Sequence, residues 1–64
     1  MVVITNDGTV NLRAGESTDY DVVATAKPGD TFDYLGTADS GWYKIRLDDG
    51  AVAYVSPKMA EIQN

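Results

Sequence analysis

The 64-residue chain has no cysteine and no histidine. The first absence removes disulfides and thiolate zinc sites. The second removes the commonest general base and the commonest transition-metal ligand. Cations are scarce as well: 5 Lys and Arg stand against 10 Asp and Glu, a formal net charge of −5. A phosphate backbone is bound by releasing its counterions to Lys and Arg, so no nucleic-acid partner is expected, nor an anionic membrane surface. No apolar run approaches the roughly 20 residues that span a bilayer. The opening Met1 to Asp7 lacks the basic segment and long apolar stretch of a signal peptide. No window of 11 or more residues repeats apolar positions at the helical period.

What is present is strand-like. Val2 to Thr5 is a β-branched run closed by Asn6-Asp7-Gly8, and Val10 to Arg13 alternates apolar and polar. Ala14 to Asp19 reads as an irregular loop ending at Tyr20. Val22 to Ala26 is a second β-branched run, followed by Lys27-Pro28-Gly29-Asp30, the order that a type II turn requires. Thr31 to Leu35 is expected as a strand and Gly36 to Gly41 as a loop. From Trp42 to Leu47 alternation puts Tyr43, Ile45 and Leu47 on one face and Trp42, Lys44 and Arg46 on the other. Asp48-Asp49-Gly50 reads as a hairpin turn before the return strand Ala51 to Val55. Ser56 to Met59 suits a single 3₁₀ turn, and Ala60 to Ile62 is a candidate last strand. The expectation is all-β: one small barrel of five to six short antiparallel strands, residues 1–64 forming a single domain.

Catalytic groupings are missing. Ser17, Ser40 and Ser56 have no histidine to activate them, and no lysine sits in an apolar run that would lower its pKa. Asp19 with Asp21, and Asp48 with Asp49, are carboxylate pairs, yet neither has the apolar surroundings that would turn one member into a general acid. No loop carries the pattern of six to eight oxygens that calcium needs. Gly15, Gly29, Gly41 and Gly50 are backbone requirements of turns; without a helix they cradle no phosphate. No enzyme activity, cofactor or metal is expected.

The order of these pieces resembles a known family. The series Val10-Asn11-Leu12-Arg13-Ala14-Gly15-Glu16-Ser17-Thr18-Asp19-Tyr20 is similar to the opening signature of bacterial SH3-like domains. Gly41-Trp42-Tyr43-Lys44-Ile45-Arg46-Leu47 resembles their Gly-Trp-Tyr-Lys strand, and Asp49-Gly50 with Ala53-Tyr54-Val55 their final hairpin. The resemblance runs over about residues 2–62. Glu16 departs from it where proline is usual, and Ala53-Tyr54 where Gly and Trp are frequent. The resemblance implies an SH3-like barrel, non-catalytic, excised from a longer extracytoplasmic chain and attached to a cell-wall hydrolase. It implies a peptidoglycan stem or cross-bridge peptide as ligand, or a spacer that packs on and shapes the neighbouring catalytic domain.

Trp42 is the leading candidate site residue, because alternation turns it away from the main core. The competing reading has it covering the barrel end against a loop. Tyr20 and Tyr54 are candidates to join it in an aromatic shelf for an extended peptide. Glu16 and Asp19, with Asp21, sit where they would attract a ligand amine, or simply keep an acidic loop solvated. Asn11 is expected to hydrogen-bond loop backbone, and Arg13 to pair with Glu16 or Asp19. A reader of proline-rich segments would also use an aromatic shelf beside acids, but the order of motifs favours the bacterial family.

Overall fold

A computed structural model describes residues 1–63. It contains β1 (Val2–Ile4), β2 (Val10–Arg13), β3 (Val22–Ala26), β4 (Thr31–Thr37), β5 (Tyr43–Arg46), β6 (Val52–Val55) and β7 (Ala60–Ile62). All pairings are antiparallel, in the order β3-β2-β6-β5-β4-β1-β7. Laid flat, seven strands would span about 29 Å across the strands. The Cα envelope measures 24 × 24 × 22 Å, so the sheet curls around its own inner face. That face holds Val2, Ile4, Val10, Leu12, Ala26, Ile45, Ala53, Val55 and Ala60, all buried. The period-two alternation of β2, β5 and β6 supplies most of them, as a half-buried strand must.

Seven strands form where five to six were expected. Ala60–Ile62 pairs along its whole length with β1, Val2 opposite Ile62 and Ile4 opposite Ala60. β4 also runs two residues beyond its expected end. The register with β5 steps from Tyr34↔Ile45 to Gly36↔Lys44, leaving Leu35 as the extra residue of a bulge. Gly36 takes φ 155° there, pairing resumes at Gly36 itself, and it continues with Thr37 opposite Tyr43. Segment 56–59 makes one turn between β6 and β7, closed by the Met59 N–H donating to the Ser56 carbonyl at 3.1 Å.

The turns that fix these strands follow their sequences. At Lys27-Pro28-Gly29-Asp30 the Asp30 N–H donates to the Lys27 carbonyl at 3.0 Å, and Gly29 adopts φ 88°. At the β5–β6 hairpin the Gly50 N–H reaches the Leu47 carbonyl at 2.9 Å, while Asp49 Oδ1 accepts from the Ala51 N–H.

Candidate functional site

No polar or charged side chain among the described residues is buried. Any binding chemistry therefore lies on the outer face of the sheet. The register across β2, β6 and β5 organises that face. Arg13 pairs with Tyr54 and Tyr54 with Lys44, giving one outward row. Continuing the same register by two residues sets Asn11, Ser56 and Trp42 in a second row, since Tyr43 pairs with Val55.

The second row floors a groove of about 500 Å³, lined also by Glu16, Ser17, Thr18 and Ser40 and by Thr9, Lys58 and Met59. Trp42 is half-buried in it, and Met59 is 38% exposed. The Trp42 main-chain N–H donates to Ser40 Oγ at 3.4 Å, and Ser40 Oγ donates in turn to the Glu16 carbonyl at 2.8 Å. Ser40 therefore ties the acidic loop to the strand that carries the indole.

The loop from Ala14 to Asp21 is held at its base. The Ala14 N–H donates to the Asp21 carbonyl at 2.9 Å, and Arg13 Nη1 donates to the Tyr20 carbonyl at 3.0 Å. Arg13 thus orders the loop through main chain, not through the Glu16 or Asp19 carboxylate expected from the sequence. A charged donor serves a carbonyl well, and the carbonyl is fixed where a surface carboxylate is not. Gly15 is buried beneath the Tyr20 ring: a Cβ on Gly15 would overlap that ring. This glycine is required for the space under an aromatic ring, with no positive φ involved.

The five expected site residues are distributed over three adjoining depressions. Trp42 and Glu16 share the main groove. Tyr54 opens on the other side of Glu16, with Gly36, Asp39 and Lys44. Tyr20 and Asp19 line a third depression with Glu16, Ser17 and Ser40. Glu16 borders all three, while the three rings share none. Trp42 and Tyr54 do stand on one outward face, two residues apart along the β5–β6 ladder. Tyr20 is 50% exposed and leans on Gly15.

Sequence reasoning did not single out Ser56, Lys58 or Met59 for the groove, and assigned Asn11 to loop backbone. Asn11 is exposed and lines the groove. Its signal was available: it alternates with buried Val10 and Leu12 on the same outward face as Arg13. Lys58 and Met59 had none, because their place depends on the Met59 carbonyl accepting from the Thr5 and Asn6 N–H groups at 3.0 and 3.3 Å.

Comparison with known proteins agrees with this architecture. The family profile described as bacterial SH3 domain matches residues 8–60. A Bacillus subtilis protein assigned as N-acetylmuramoyl-L-alanine amidase YrvJ is 43% identical over 49 residues, which are 77% of this chain and 9% of that protein. A Listeria innocua protein assigned as endopeptidase p60 is 33% identical over 49 residues, 77% of this chain and 10% of that protein. The chain spans about a tenth of the length of these relatives. With a matching profile over most of its length, the chain belongs to the bacterial SH3 domain family.

Proposed function

We propose that this domain is a non-catalytic module that binds a bacterial cell-wall peptide in the Trp42 groove and so holds an attached hydrolase near its substrate. The observation that carries this reading is the groove itself. A half-exposed indole lies in a row with Asn11 and Ser56, and Met59 and Glu16 are among the residues that line the same groove. An extended peptide needs that combination: a rigid apolar surface for side chains and polar groups beside it for the main chain. The relatives support the ligand class, since one is assigned as an N-acetylmuramoyl-L-alanine amidase and the other as an endopeptidase.

In this reading the stem or cross-bridge peptide lies over Trp42, and Glu16 accepts its amine. Tyr54, beyond Glu16, and Tyr20 with Asp19 extend the contact around the acidic loop. The affinity of one copy is expected to be weak, because one half-exposed ring is a small anchor, and attachment to the hydrolase raises the effective concentration. The protein would act outside the cytoplasm, where its ligand is.

Trp42 is the sole tryptophan, so intrinsic fluorescence reports the groove directly. Titration with stem and cross-bridge peptides should change that emission saturably and shift the amides of Asn11, Glu16, Ser40 and Trp42. Trp42→Ala should keep the dispersed amide spectrum and lose at least about tenfold in affinity. Saturation with no shift at these residues would place binding elsewhere. No saturation at millimolar peptide would leave the same face to pack on the neighbouring catalytic domain.

A further inference from the structure

Aspartate followed by glycine occurs twice, at Asp7-Gly8 and at Asp49-Gly50, and all four residues are exposed. Such a pair is prone to close a five-membered ring on itself, because glycine has no side chain to crowd its own attacking nitrogen. Exposure does not separate the two copies, but their hydrogen bonds do. At the β5–β6 hairpin both reacting groups are engaged. Asp49 Oδ1 accepts from the Ala51 N–H at 2.9 Å, and the Gly50 N–H donates to the Leu47 carbonyl at 2.9 Å. Ring closure there would have to break both bonds.

Between β1 and β2 neither group is engaged. Among the described residues the Asp7 carboxylate accepts from no donor and the Gly8 N–H reaches no acceptor. The bond that is made there, from Asn6 Nδ2 to the Gly8 carbonyl at 3.2 Å, spans Asp7 without holding its side chain. Nor does the fold demand glycine at this position. Gly8 has no positive φ, and the nearest atom to a Cβ built on it is Asn6 Nδ2 at 3.9 Å. Alanine would fit in its place, which separates the chemistry of this glycine from its structural role.

We infer that Asp7-Gly8 is a site of spontaneous isoaspartate formation, that the hairpin holds Asp49-Gly50 unreactive, and that the change at Asp7 reaches the Met59 side of the Trp42 groove. The Gly8 nitrogen attacks Asp7 Cγ. An N–Cγ bond forms, a Cγ–O bond of the carboxylic acid breaks, and the departing oxygen leaves as water with the Gly8 amide proton. Water then opens the ring at the Asp7 main-chain carbonyl, so the chain runs on through Cγ and gains one methylene. The old main-chain carbon becomes the free carboxylate. The water lost in the first step returns in the second, and nothing is oxidised or reduced. The charge count is unchanged, so the effect is one of chain geometry. The lengthened segment joins Asn6, whose N–H bonds the Met59 carbonyl at 3.3 Å, to Thr9, and Met59 and Thr9 both line the groove.

The test incubates the folded protein at neutral pH for several weeks beside a sample in urea, then separates and weighs its proteolytic peptides. An isoaspartyl peptide keeps its parent's mass, elutes apart from it and resists an aspartate-directed protease at that residue. In the folded protein Asp7 should convert at least about fivefold faster than Asp49, as expected when one pair of reacting groups is held out of line. In urea the two rates should converge. Gly8→Ala should keep the amide dispersion and slow conversion at Asp7 about tenfold, because a β-carbon now crowds the nitrogen. Converted folded protein should show a shifted Met59 amide with Ile45 in place. Equal rates at the two sites in the folded protein would overturn the protection. A gap that persists unchanged in urea would overturn it as well, since neighbouring sequence and not the hydrogen bonds would then be its cause. No conversion at Asp7 in the folded protein, over a period in which the urea sample converts, would overturn the site. A Met59 amide unmoved in converted protein would overturn its link to the groove.

Discussion

At the scale of single residues, the contact that most shapes the acidic loop is the Tyr20 ring on Gly15. The ring is half exposed, yet it leaves no room for a Cβ beneath it. Gly15→Ala must push the ring off the loop, an overpacking cost of about 1–3 kcal/mol. Tyr20→Ala alone forfeits the cover over Gly15. The double variant has nothing left to clash, so the two losses should fail to add by about 1 kcal/mol or more. Urea unfolding of the four proteins measures that cycle, and strict additivity would mean that ring and glycine do not touch. Gly50 provides the contrast. It has φ 88° with open space around its missing Cβ, so Gly50→Ala should cost about 1–2 kcal/mol through the backbone alone and show no coupling to Tyr20. Two glycines that look alike in sequence are thus needed for different reasons.

At the scale of elements, strands were legible because their cause is local. Alternation in Val10–Arg13 and Tyr43–Arg46 marks inner and outer faces, and Pro28-Gly29 and Asp49-Gly50 mark where the chain reverses. The bulge at Leu35 was not legible, since Gly36 resembles any loop glycine until β5 is placed beside it. The candidate site divides in the same way. Period two turns Trp42 and Tyr54 outward, which the sequence shows by itself. Which rings share a depression depends on how the Ala14–Asp21 loop lies across the sheet, and that is decided by Arg13, Gly15 and Ser40. Ser40 reaches the Glu16 carbonyl across 24 residues of chain. Ser40→Ala should therefore loosen the loop without opening the core, at about 0.5–1.5 kcal/mol. Hydrogen exchange should show faster exchange at the Ala14 and Tyr20 amides, with Ile45 and Val55 unchanged. Equal acceleration at all four would mean that the bond supports the whole domain rather than the loop.

At the scale of the whole molecule, the two ends of the described chain are neighbours. β1 lies between β4 and β7, the Met1 amino group donates to the Gln63 carbonyl, and the Gln63 N–H donates to the Met1 carbonyl, each at 2.7 Å. A domain of this size has about 3–10 kcal/mol of stability in total. The β1–β7 pair also covers Val2, Ile4 and Ala60, all buried. Deleting residues 60–64 removes Ala60 from the core and strips β1 of its outer partner, and should unfold the protein. Joining Gln63 to Met1 through about three glycines should do the opposite, because these two residues already hydrogen-bond each other. With the ends joined, the chain can be opened between Asp48 and Asp49, at the exposed tip of the β5–β6 hairpin. That permutant keeps every strand neighbour but makes β5–β6 a long-range pair, which costs loop-closure entropy and no buried contact. It should fold with a modest loss of stability and an unchanged Trp42 emission, since the groove is built on β2, β6 and β5 rather than on the hairpin tip. Circular dichroism and denaturant unfolding measure the first, and fluorescence the second. A permutant that folds with shifted emission would show that the hairpin turn, far from Trp42 along the strands, still sets the floor of the groove.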